Sequence, residues 1–198
     1  MLHRFRGLGW LSLVSALLLL VPVARAAVDA PATGTVKTYE LVGVGHLRLE
    51  LPEGWHDKLT RSVLLGVPTD DFLLTPADTN AYAVTVSILQ LTEEQVKKVD
   101  CRQELTRGSK IELAGAEEKT LPLMDIEGTT FAGAYFTLTD KSVTPGTAKP
   151  GEYRWLTQGF AKSGSLVMTF RLTSNVGGEA ERNQLLNLVK TARIEPKQ

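Results

Sequence analysis

The sequence predicts an α+β domain: an antiparallel sheet with helices packed on it. Two observations carry that expectation. Apolar residues alternate with polar ones in several short runs separated by Gly- and Pro-containing turns, whereas helical spacing occurs in only two segments. The order is strands, a helix, a meander of strands and a closing helix, without the regular strand–helix alternation of a parallel sheet. The composition allows such a core, because 43% of the 198 residues are hydrophobic and 22% are charged.

Residues 1 to 26 read as a secretory signal peptide. Arg4 and Arg6 precede an apolar run to Val23, and Ala24-Arg25-Ala26 places small residues at positions −3 and −1, so cleavage is expected between Ala26 and Ala27. The stretch from Leu11 to Val23 is shorter than the ~20 residues that span a bilayer. The remaining chain is therefore expected to carry no membrane anchor and to work in a bacterial periplasm or outside the cell. Removing Arg4, Arg6 and Arg25 leaves 19 basic against 22 acidic residues, net −3, which lacks the field that gathers phosphates and argues against a nucleic-acid partner. Cys101 is the single cysteine, so no intrachain disulfide can form, and within a helical pattern it reads as a small apolar residue at a half-buried position.

Residues 27 to 37 are small and aperiodic and read as a flexible lead-in to one domain over 38–198. Leu47, Leu49 and Leu51 alternate with Arg48 and Glu50 in a strand that Pro52-Glu53-Gly54 stops. Ser62 to Val67 and Phe72 to Thr75 form two strands around a turn. Tyr82, Val84, Val86 and Ile88 define a further strand within 81–90. Thr92-Glu93-Glu94-Gln95 is a capping box opening a helix from Glu93 to Arg107, stopped by Gly108. Lys119 to Ile126 and Thr129 to Thr139 begin the meander, and a polar loop at 140–151 stays on the surface. Strands at 152–161 and 165–173 meet in a hairpin near Gly164, with Leu166, Met168, Phe170 and Leu172 on one face. Leu185, Leu188, Val189 and Ala192 give helical spacing within 178–192.

The segment Leu51-Pro52-Glu53-Gly54-Trp55, the capped helix, the meander, and Ser165 to Asn175 followed by a helix ending at Ala192-Arg193-Ile194 resemble the PsbP-like group. That group includes the DcrB-type bacterial periplasmic proteins, and the resemblance covers roughly residues 38 to 195. It implies a three-layer α/β/α sandwich and a non-enzymatic accessory, chaperone-like or partner-binding role, and it supplies no shared catalytic set.

The residues themselves offer little chemistry. His46 and His56 flank the 52–55 turn without a third or fourth ligand, so no zinc site is expected and His56 reads as a solvated turn residue. No GxSxG elbow accompanies any serine. Gly43-Val44-Gly45 lacks the third glycine of a dinucleotide fingerprint and leads into a strand, which makes it a turn. Asp70-Asp71 and Glu117-Glu118 read as solvated charge, not a calcium loop. No cofactor is expected. Tyr153, Arg154 and Trp155 form the one candidate binding segment: the two rings share a strand face opposite Arg154, directly after the Gly/Pro-rich loop. The leading expectation is a non-enzymatic accessory protein that presents a sheet face or groove to a protein partner in the cell envelope. A small-ligand module centred on Tyr153 and Trp155, or an enzyme with a dispersed site, are the alternatives.

Overall fold

The computed structural model describes residues 34–64, 66–77, 82–144, 146–175 and 179–197. The expected signal peptide, its Ala26–Ala27 junction and the first part of the lead-in lie outside them. Ten strands and four helices are described: β1 Thr35–Leu41, β2 Gly45–Leu51, β3 Trp55–Leu64, β4 Val67–Pro76, β5 Tyr82–Gln90, α1 Glu93–Lys98, α2 Cys101–Gly108, α3 Lys110–Gly115, β6 Met124–Glu127, β7 Ala132–Thr139, β8 Trp155–Ser163, β9 Leu166–Ser174, α4 Glu179–Lys190 and β10 Arg193–Pro196.

The α+β class with antiparallel pairing is as expected, but the strands form two sheets. The larger has seven strands in the order β3-β4-β5-β9-β8-β7-β6, and the smaller has three in the order β1-β2-β10. Alternation builds both. Val84, Val86 and Ile88 of β5 oppose Leu172, Phe170 and Met168 of β9, so one face of the large sheet is a continuous apolar layer. That inner face shares a core with Leu47, Leu49 and Leu51 of β2, with Leu185, Leu188 and Val189 of α4, and with Ala192 just after that helix. Tyr39 of β1 meets Phe72 of β4 edge-on, ring centroids 4.8 Å apart. A second core lies on the outer face, where Leu105 of α2 and Leu113 after it cover Ala134, Phe136, Leu138 and Leu156.

Several expectations are corrected. The lead-in ends at Gly34, because Thr35 to Lys37 already pair with Leu51 to Leu49. The helix expected over 93–107 is two: α1 ends at Lys98 and Asp100 caps α2, its side chain accepting from the N–H groups of Arg102 and Gln103. The capping box at Thr92 is present in both its arms, Gln95 N–H to Thr92 and Thr92 N–H to the Gln95 side chain. Cys101 is buried at the first turn of α2, where burial pushes its thiol up and nearby Lys162 opposes that.

The strand at 62–67 starts earlier, at Trp55, and turns at Gly66 with φ of 83°. The strand at 119–126 shrinks to β6, and β8 starts at Trp155, three residues later than expected. The hairpin between β8 and β9 is a two-residue turn at Gly164 and Ser165. His56 lies exposed on β3, outside the turn. Asp70 is not solvated; it is 4% exposed and accepts from Arg61 Nε at 3.2 Å. Nor does the 140–151 loop keep wholly to the surface, since Val143 is buried. β10 has no counterpart in the sequence pattern; it completes the small sheet by pairing with β2.

Candidate functional site

The three residues singled out from sequence share neither a strand nor a face. Strand alternation begins only at Trp155, and Gly151 enters the preceding segment with φ of 77°, so 151–154 turns instead of extending. Trp155 points to the inner face. It lines a recess with Thr157, Leu172, Ser174, Arg182 and Leu185, and the Arg182 guanidinium lies 5.8 Å from the ring centroid. That recess holds about 10 Å³, room for roughly one water and far below the several hundred Å³ of a ligand pocket.

Tyr153 goes to the outer face, where its hydroxyl meets Thr173, and burial pushes the phenol up while that hydrogen bond pulls it down. Thr173 belongs to the outer row, opposite Ala83 on one side and Leu156 on the other.

Arg154 is a clamp. Its Nη1 donates to the carbonyls of Asp140 and Val143, each at 2.7 Å, and Nη2 donates to Glu117 Oε1 at 2.6 Å. Its backbone N–H donates to Asn175 Oδ1, whose Nδ2 donates to the Glu152 carbonyl, both at 2.7 Å. With its side chain 15% exposed, Arg154 binds the 140–152 loop to the sheet instead of offering charge to a partner. The partners of Arg154 lie 11 to 37 residues away along the chain, beyond the reach of any local pattern.

The outer face itself is divided. Its β6–β7–β8 half is roofed by α2 and α3. On the β3–β4–β5 half, His56, Lys58, Thr60, Ser62, Leu73 and Thr85 are exposed, Leu73 by 42%. Lys58, Leu73, Thr85 and Arg171 stand in one row across four strands. Beside that row Asp71 accepts from Ser87 Oγ at 2.5 Å. Arg171 marks the ridge between the halves, with Nη1 3.9 Å from Glu112 Oε1 on α3. Burial pushes the Arg171 guanidinium down, and Glu112 raises it. Tyr153 borders the bare half through Thr173, so it alone of the three sequence candidates adjoins it. The period-two pattern of β3 to β5 shows which residues face outward, but only the placement of α2 and α3 reveals which outward residues stay bare.

Among the described residues, no group of three or more His, Cys, Asp and Glu side chains is placed to hold a metal. None of the described helices is long and apolar enough to cross a membrane. No family model matches the sequence, and no curated protein matches it. Among solved structures, the chain is similar to the solution structure of cyanobacterial PsbP (CyanoP) from Synechocystis sp. PCC 6803, at 10% identity over 86% of this chain and 98% of that one, with a TM-score of 0.49.

Proposed function

We propose that the chain is an exported accessory protein, not an enzyme, which docks a protein partner in the cell envelope on the bare β3–β4–β5 half of its outer sheet face. The observation that supports this reading is the uneven roof: α2 and α3 cover one half of that face and leave Leu73 and Thr85 exposed at the centre of the other. A rigid paired sheet offers a pre-ordered surface, so a partner need not order it on binding. Tyr153 supplies an aromatic with a polar tip at the border, and Arg154 positions it by holding the loop that delivers it. The tight recess beside Trp155 makes a small-ligand module the weaker reading. Export by removal of residues 1 to 26 fits such a role, and the intact mass of the protein from the envelope fraction tests it.

Site-specific photo-crosslinking in cells tests docking. A crosslinker at Thr85 is expected to give a discrete adduct with another protein, and one at Glu94, exposed on α1, is expected to give none. Equal labelling from both positions, or no adduct from Thr85, refutes the assignment of this face.

A further inference from the structure

The seven-stranded sheet ends on β3, a ten-residue strand whose outer edge pairs with no strand among the described residues. From Trp55 opposite Pro76 to Leu64 opposite Val67 the pairing with β4 steps residue for residue, so no bulge bends the edge away, and no proline interrupts it. Among the described residues, none from 56 to 64 makes a backbone–backbone hydrogen bond outside the sheet ladder. The opposite edge strand, β6, has four residues. β1 runs alongside β3 in the second layer, but the contacts between them are made by side chains: Lys37 to Asp57 at 3.3 Å, and Arg61 Nη2 to the Glu40 carbonyl at 2.8 Å. Proteins usually guard long straight edges, because unpaired N–H and C=O groups recruit another strand.

The sequence of this edge is complementary to itself. In an antiparallel pair of two β3 strands centred on Leu59, every residue i faces residue 118 − i of the other copy. That register sets Asp57 opposite Arg61 twice across the dyad. The Arg61 side chain is 50% exposed even while its Nε holds Asp70 and its Nη2 the Glu40 carbonyl, so part of the guanidinium still faces outward. On the same face Trp55 comes opposite Val63, a pairing of an aromatic with a β-branched residue that covers a valine now 71% exposed. On the outer face Lys58 faces Thr60, so no like charges meet. A twofold pairing of one patch with itself is the commonest oligomer geometry.

From this edge we infer that the protein forms a homodimer through antiparallel β3–β3 pairing centred on Leu59, joining the two large sheets into one. The two bare outer faces then lie side by side. The inference concerns self-association alone and does not rest on the partner-docking role proposed above.

Sedimentation velocity on protein purified as the host processes it, over a concentration series, provides the test. The expected species is a dimer. Thr60→Lys sets two lysine pairs across the dyad at an exposed site and should raise the dissociation constant about tenfold or more, with the denaturation midpoint unchanged. Adding Lys58→Glu to that variant restores opposite charges and should recover the dimer. Leu59→Cys should crosslink to its own copy under oxidation, whereas Ser62→Cys, about 20 Å from its copy in this register, should not. A chain that stays monomeric at hundreds of micromolar overturns the inference, as does a dimer indifferent to Thr60→Lys. Failure of Lys58→Glu to rescue, or crosslinking through Ser62→Cys in place of Leu59→Cys, overturns the register.

Discussion

Phe170 and Gly159 face each other across the β8–β9 pair, and together they allow a quantitative test of the inner core. Phe170 is 2% exposed, and its ring occupies the space above Gly159: a Cβ built there would lie 2.0 Å from Cζ and 2.3 Å from Cε1. An aromatic side chain of this kind buries about 200 Å², worth up to ~5 kcal/mol at ~25 cal/mol per Å². Phe170→Ala should therefore cost about 3–5 kcal/mol once partial collapse of the cavity is allowed. Gly159→Ala should also destabilise, by about 1–3 kcal/mol, because the ring must move by more than an ångström in a close-packed layer. In the Phe170→Ala background that obstacle is gone, and the extra methyl should be neutral or stabilising by up to ~1 kcal/mol through the loss of glycine's chain entropy. The two changes should thus couple by about 2 kcal/mol, measured as urea midpoints around a double-mutant cycle. An equal cost of Gly159→Ala with and without the ring would refute the packing argument.

Three further outcomes are expected. Thr92→Ala should cost about 1 kcal/mol in chemical denaturation, because it removes the acceptor that holds Gln95 N–H at 3.2 Å; a change within error would show that α1 contributes nothing to the cooperative unit. Trp155→Ala should lower stability by about 2 kcal/mol, since the half-buried ring faces α4 and Arg182; loss of partner retention at an unchanged midpoint would return Trp155 to the binding surface. Burial pushes the Asp70 carboxyl up, and Arg61 pulls it back only in part. The folded state then holds the Asp70 proton more tightly than the unfolded state does, so the ionised group opposes folding above its folded pKa, and that penalty fades as pH falls through it. The stability of wild type relative to Asp70→Asn should accordingly rise on acidification from pH ~7 to pH ~3; a fall over that window would mean that the Arg61 pair outweighs burial.

Features set by groups a few residues apart can be read along the chain. The alternation in Leu47 to Leu51, Val84 to Ile88 and Leu166 to Leu172 decides which side chains share a face, because successive Cβ atoms in a strand point to opposite sides. The capping box at Thr92 to Gln95 is closed by groups three residues apart, so it too is legible directly. Tertiary structure decided whatever depends on distant partners. β10 is four residues that become a strand because β2, some 145 positions earlier, offers an open edge. Asp70 goes inside because the strand register sets Arg61 opposite it, and its carboxylate would otherwise be too costly to desolvate. Tyr153 and Trp155 part to opposite faces because Arg154 and Asn175 hold the loop in a turn, through hydrogen bonds spanning 11 to 37 residues that no local pattern encodes. The candidate surface is of the same kind: alternation marks Leu73 and Thr85 as neighbours on one face, but α2 packs on the β7–β8 half of that face and leaves these two exposed, a choice set by where Leu105 finds Phe136 and Leu156.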